Sequence, residues 1–262
     1  MERRYFMRTA ILGGMALGLG CKSQGITHIL TLSFDDGFKK SFYETADIFE
    51  KYRLRACLNV IASGHLSNFS SPDKYHINER GDFTDWNTLK KRGHEIMPHS
   101  WDHSNLAEML QEQAKEDIIK CLDYFRQNLD GFDESKAVYN FAYNASTPEL
   151  VDFALTRVRA VRTGGWNIWG DNTTTNPFPY DGQPRKLGCW SYGPDNADKW
   201  VEEEVNLFLD SSGGWLVLNL HGLDKEGWGP VSSVYLDNLL GRLVKIKNLR
   251  ILPAGIVLDK YA

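Results

Sequence analysis

Three short stretches of this 262-residue chain carry side chains whose types and spacing could do chemistry. SFDDG (33–37) sets two carboxylates, Asp35 and Asp36, side by side before a glycine. HSWDH (99–103) spaces His99 and His103 four residues apart, and LNLHG (218–222) places His221 directly after an apolar run. Adjacent like charges repel unless something positive compensates, and a bound cation is one remedy. A helical turn or compact loop brings residues four apart onto one face. Two imidazoles and one carboxylate then make a site with three protein ligands and open positions, the set used by catalytic zinc and also by non-haem iron. A histidine such as His221 at a strand end suits general acid or base work near neutral pH. Taken singly, the first stretch reads as a turn and the second as two structural histidines. Taken together they supply three ligands and a spare carboxylate, which chance explains poorly.

Such groups need rigid elements behind them. THILTLSF (27–34) reads as a strand, followed by a helix in which Phe42, Ala46, Phe49 and Tyr52 recur at helical spacing. RACLNVIA (55–62) reads as a second strand, and residues 86–98 as a short helix, a glycine cap and a third strand. An amphipathic helix is expected over 105–128, a fourth strand in KAVYNFAY, a capped helix in STPELVDFALTR and a fifth strand in VRAVR. Residues 163–188 read as a long loop. DNADKWVEEEVNLFLD and SSVYLDNLLGRLVKIK read as helices around the strand GGWLVLNLHG, with LRILPA as a closing strand. This alternation implies parallel strands joined by crossovers, and five to seven such units favour a barrel-like (β/α) arrangement. In such barrels chemistry sits at the C-terminal ends of strands, where all three stretches fall. His94 precedes its strand and is assigned to scaffold; His28, His65 and His76 have no comparable context.

Composition is that of an ordinary globular chain, 42% apolar and 24% charged. A net charge of −4 leaves no basic footprint for nucleic acid. Eight tryptophans, including Trp166, Trp169, Trp190 and Trp200, invite packing or sugar stacking. Residues 1–21 read as an export signal: Arg3-Arg4 resembles a twin-arginine motif, and LGLGC resembles a lipoprotein box with Cys21 as the lipidated residue. The exported chain would then be a membrane-anchored lipoprotein, or periplasmic or surface-held, touching the membrane through its lipid alone. Cys57, Cys121 and Cys189 form no disulfide framework and read as buried thiols.

SFDDG, HSWDH and LNLHG, in this order, resemble the polysaccharide deacetylase family, the NodB-homology domain of carbohydrate esterase family 4. The resemblance covers nearly all of residues 22–262 and implies one domain, a distorted (β/α)7 barrel, with a divalent metal, foremost Zn2+ though other transition metals are possible. It further implies Asp36, His99 and His103 as metal ligands, Asp35 as general base and His221 as general acid. The expected activity is removal of acetyl groups, N-acetyl preferred, from a polysaccharide. An O-acetyl esterase of acetylxylan type and a non-catalytic carbohydrate-binding protein are the alternatives. The family's third motif is altered to FAYNAS (141–146). There the Ala145 N–H is expected to serve as oxyanion donor, and Arg162 to replace a missing arginine beside Asp35. A fourth motif has only Asp171 as a weak match, and Ser100 is expected to bond a carbonyl across the histidine turn.

Overall fold

The computed structural model describes residues 25–70, 79–169, 175–179 and 185–261. The expected export signal, Cys21, His76 and Asp171 lie outside the described residues. Strands and helices alternate in the order β1 (His28–Phe34), α1 (Lys39–Lys51), β2 (Cys57–Val60), α2 (Phe83–Lys91), β3 (Glu95–Pro98), α3 (Gln111–Asn128), β4 (Val138–Asn140) and α4 (Pro148–Ala154). They continue with β5 (Ala160–Gly164), α5 (Gly165–Trp169), β6 (Lys186–Cys189), α6 (Asp198–Asp210), β7 (Gly214–Leu220), α7 (Ser233–Leu243), β8 (Leu249–Ile251) and α8 (Ala254–Tyr261).

All ladders are parallel. β1 pairs with β7 along its full length, while β2 takes Ser33 and Phe34, and β8 takes His28 to Leu30, on the other edge. β3 adds to β2, and β4, β5 and β6 form a second ladder. The two join where Trp190, just past β6, donates to Val217 O at 3.2 Å and accepts from the Asn219 N–H at 2.8 Å. Strands β1 to β7 thus follow one another around a ring in the order β3-β2-β1-β7-β6-β5-β4. Between β4 and β3 no ladder forms among the described residues. The side chain of Asn140 spans that seam instead, its Nδ2 donating to Pro98 O at 3.1 Å and to Asn59 Oδ1 at 3.0 Å.

The ring's interior is graded. Toward the strand N-termini it holds Ile29, Val138, Leu187, Trp215 and Val217, closed from below by Val257 and Leu258 of α8. Toward the C-termini the inward positions become polar: Asp35, Asn59, Asn140, Arg162 and Asn219 are all buried there. The larger apolar layer lies outside, where Leu30, Leu32 and Phe34 meet Phe42, Phe49 and Trp86 of the helices. Strands covered on both faces read as nearly continuous apolar runs, and HILTLSF is buried at every position.

Three expectations need correction. Residues 163–188 are not all loop, since they contain α5 and β6. KLGC is too short, and too interrupted by Gly188, to show a strand period. It is β6, not β8, that completes the ring of seven. α8 was hidden behind Pro253 and Gly255, although proline is well tolerated at a helix entry. The helix expected over 105–128 is split: Asn105 caps a single 3-10 turn by accepting the Ala107 N–H, and extended Met109 and Leu110 precede α3. Leu110 is 72% exposed, so no burial rewards a continuous helix there.

Asn140→Leu tests the seam. It removes the donor from three buried acceptors, Asn59 Oδ1, Pro98 O and Val138 O, and we expect about 3 kcal/mol lower stability in urea unfolding of the metal-free protein.

Candidate active site

Asp36, His99 and His103 converge at the mouth of the ring. Asp36 Oδ1 lies 3.4 Å from His99 Nε2 and 3.2 Å from His103 Nε2. The three ligand atoms all fall within 4.8 Å of one another, and all three residues are buried. Two ligands about 2.1 Å from a single ion at a tetrahedral angle stand about 3.4 Å apart, so the trio has the spacing of a metal site. The tautomer of His99 also fits. Its Nδ1 faces Asn140 O at 3.0 Å, and a carbonyl only accepts, so the proton sits on Nδ1 and Nε2 presents its lone pair to the trio.

Asp35 stands beside the trio, Oδ2 3.6 Å from His99 Nε2, with 1% exposure. Its Oδ2 accepts from Arg162 Nη2 at 2.6 Å and Asn219 Nδ2 at 2.6 Å, and its Oδ1 from Asn59 Nδ2 at 2.7 Å. Burial alone would raise its pKa. Arg162, then His99 and His221, outweigh that and hold the carboxyl below its ordinary range. Arg162 therefore neutralises one of two adjacent buried carboxylates, and the second faces imidazole nitrogens. That charge balance favours a cation at the trio.

His221 follows β7 and is half-buried, its ring edge-on to Trp228 at 5.5 Å. The loop behind it is tied to α1: Glu226 accepts from the backbone and hydroxyl of Ser41, and Ser41 Oγ accepts the Leu223 N–H at 2.9 Å. Beside His103 opens a cleft of about 790 Å³, walled by Phe69, Trp101 and Tyr143 with Asn68 and Asn105. Trp166 is 48% exposed, whereas Trp190 and Trp200 are partly buried against the core.

The backbone here is strained in a consistent way. Of seven non-glycine residues with positive φ among the described residues, Asp36, Ser100, His103, Tyr143 and Asn144 belong to this site. Left-handed backbone costs an L residue about 1 kcal/mol or more and gathers where function fixes geometry. Ser100 relieves part of this, although not as expected: its Oγ accepts the His103 N–H at 2.9 Å rather than bonding a carbonyl. Ala145 also differs from expectation. Its N–H donates to Ala142 O at 3.1 Å, closing the 3-10 turn over Ala142–Asn144, so it is committed to the turn instead of an oxyanion. Tyr143 from that turn packs over His103, ring centroids 4.7 Å apart.

Sequence reasoning missed Asn59, Asn140, Asn144 and Asn219. Asn144 links the FAYNAS turn to β7 through Asn219 Oδ1 at 3.1 Å. For Asn59, Asn140 and Asn219 the signal was present as a single asparagine inside otherwise apolar strands, for instance in CLNV and WLVLNL; Asn144, in a turn, gave none. His94 sits at the opposite end, Nδ1 accepting the Ala56 N–H and Nε2 facing Glu50. Cys57, Cys121 and Cys189 are buried free thiols.

Residues 22–152, half of the chain, match the family model described as polysaccharide deacetylase. The chain belongs to the polysaccharide deacetylase family, hydrolases that act on polysaccharides. Among curated proteins no match is found. Solved structures share the fold. Peptidoglycan deacetylase PdaC from Bacillus subtilis superposes with a TM-score of 0.53 at 16% identity, over 89% of this chain and 91% of that one. A family 4 acetyl xylan esterase from Clostridium thermocellum, in complex with cobalt, gives 0.57 at 15% identity, over 88% and 90%. At these identities the likeness speaks to fold alone. The family match contains Asp35, Asp36, His99 and His103; Arg162 and His221 lie beyond it.

Asp117 of α3 generates a prediction about the histidine loop. It is 8% exposed and accepts the Trp101 N–H at 3.1 Å. Burial, reinforced by nearby Asp102, pushes its carboxyl up to about 7. Between about pH 4 and about pH 7 the unfolded chain ionises while the folded one resists, so stability falls as pH rises through that window. Asp117→Asn keeps the acceptor without the charge. Thermal unfolding of the variant should show a shallower fall over this range and a higher Tm than wild type at alkaline pH.

Proposed function

We propose that this protein removes acetyl groups from a polysaccharide by metal-assisted hydrolysis, with N-acetyl groups as its preferred target. The observation that carries the reading is the meeting of a metal-ligand trio with an ion-paired carboxylate at one strand-end cluster. Asp36, His99 and His103 would hold the metal, Zn2+ foremost. Once bound, it would acidify the attacking water and polarise the acyl oxygen.

The remaining work falls to the chain. Asp35, kept ionised by Arg162, takes a proton from the attacking water as its oxygen closes on the acetyl carbonyl carbon. Arg162, Asn59 and Asn219 fix that carboxylate so that no reorientation is needed on reaction. When the carbon–nitrogen bond breaks, His221 protonates the departing amine, and acetate leaves. Tyr143, Trp101 and Phe69 would wall the cleft against which sugar rings lie.

A second reading, cleavage of O-acetyl groups, is favoured by the acetyl xylan esterase among the structures sharing this fold. A non-catalytic binding protein is favoured by the altered FAYNAS turn, whose Ala145 N–H is engaged within the turn. Export and a lipid anchor at Cys21 are part of the proposal on sequence grounds, placing the substrate in the envelope or outside the cell. No helix among the described residues is long and apolar enough to cross a membrane.

The test is acetate release by zinc-loaded protein from chitooligosaccharides, peptidoglycan fragments and acetylxylan. We expect release from an N-acetylated substrate, and a fall of about 10³-fold in Asp35→Asn with zinc stoichiometry unchanged. Release from acetylxylan alone would favour the esterase. Stoichiometric zinc with no release from any substrate would favour the binding protein.

A further inference from the structure

The turn that carries Asp36 is held from outside by a residue none of the three motifs contains. Asp36 and Gly37 both have left-handed backbone, φ +79° and +77°. Against them lies Glu79–Gly81, antiparallel through a Phe38–Arg80 bridge. The Lys39 N–H donates to Glu79 O at 3.1 Å, and the Gly81 N–H to Gly37 O at 3.2 Å. Between these two bonds Arg80 Nε donates to the carbonyl of Asp36 itself, at 3.2 Å.

The guanidinium is seated, not merely adjacent. It lies over both the Phe38 ring, 5.2 Å from the centroid, and the Phe69 ring, 4.8 Å from the centroid, two contacts suited to a planar cation. Gly64 leaves room for its stem, since a Cβ there would fall 2.6 Å from Arg80 Cδ. Phe38 in turn touches the acid's loop: a Cβ on Gly227 would meet Phe38 Cε2 at 2.7 Å and His221 Cβ at 3.1 Å. The Arg80 bond to the Asp36 carbonyl pins one end of the left-handed backbone from which the Asp36 carboxylate projects toward His99 and His103, and it opposes relaxation of that backbone.

We propose that Arg80 is a positioning residue that holds Asp36 in its ligating conformation, with Gly64 as the niche that admits it. The inference rests on the trio's being a zinc site. It acts through the backbone of Asp36 and involves no contact between Arg80 and the metal or the substrate.

The test is zinc affinity, by competition with a chromophoric chelator, in wild type, Arg80→Ala, Arg80→Lys and Gly64→Ala. Tm of each metal-free protein and kcat and KM of each loaded one accompany it. We expect Arg80→Ala and Gly64→Ala each to weaken zinc binding by about 10-fold or more, with Arg80→Lys between them and wild type. Loss should appear in kcat, leaving KM near its wild-type value. A fall in metal-free Tm with wild-type zinc affinity in both variants would overturn the role of Arg80 and leave the trio standing. Wild-type protein that takes up no zinc would overturn the trio, and the inference with it.

Discussion

Two neighbouring carboxylates, both essentially inaccessible to water, are the constraint on which the rest of this structure depends. Charges so placed cannot both stay ionised without compensation, because burial and mutual repulsion each favour the neutral form. The Arg162 guanidinium, equally buried, answers for Asp35. Removing one partner from such a pair by truncation costs about 3–5 kcal/mol, so this contact contributes to the stability of the strand-end cluster. The trio's imidazoles and a cation would answer for Asp36. The division of labour between adjacent aspartates is therefore set by which one the arginine reaches.

That contact explains the polar interior above the apolar floor. A carboxylate accepting from Arg162, Asn219 and Asn59 needs those donors on β7 and β2, which flank β1, and on β5 across the ring, on inward positions near strand ends. The same asparagines then bond onward, Asn59 to Asn140 and Asn219 to Asn144. Asn140 both spans the β3/β4 seam and orients His99. The network that holds Asp35 thus holds the ring where its main-chain ladder is missing. Strain at Asp36 and His103 is tolerable because each is fixed by several independent contacts.

The site was more legible than the fold that carries it. Asp35, Asp36, His99, His103 and His221 stood out because three motifs fall together at strand ends, whereas each alone has an ordinary structural use, and the structure brings Asp36, His99 and His103 together. β1, β2, β3 and β7 could be read from their β-branched, apolar runs. β6 could not: four residues with a central glycine carry no period, and it is recruited by the neighbouring β5 and by Trp190. α8 was obscured because proline and glycine break helices in their middles but not at their starts. The asparagines were passed over because a lone amide in a strand is commonplace until its partners are known. Ala145 shows a related limit, since sequence names a backbone N–H but not that it donates to Ala142 O.

The central claim is that Asp36, His99 and His103 hold one zinc ion. X-ray absorption at the zinc edge, on protein loaded with a single equivalent, tests it most directly. The account predicts nitrogen and oxygen neighbours with the outer-shell scattering of two imidazoles, reduced to one in His99→Ala. Sulfur neighbours, or an unchanged spectrum in that variant, would contradict it.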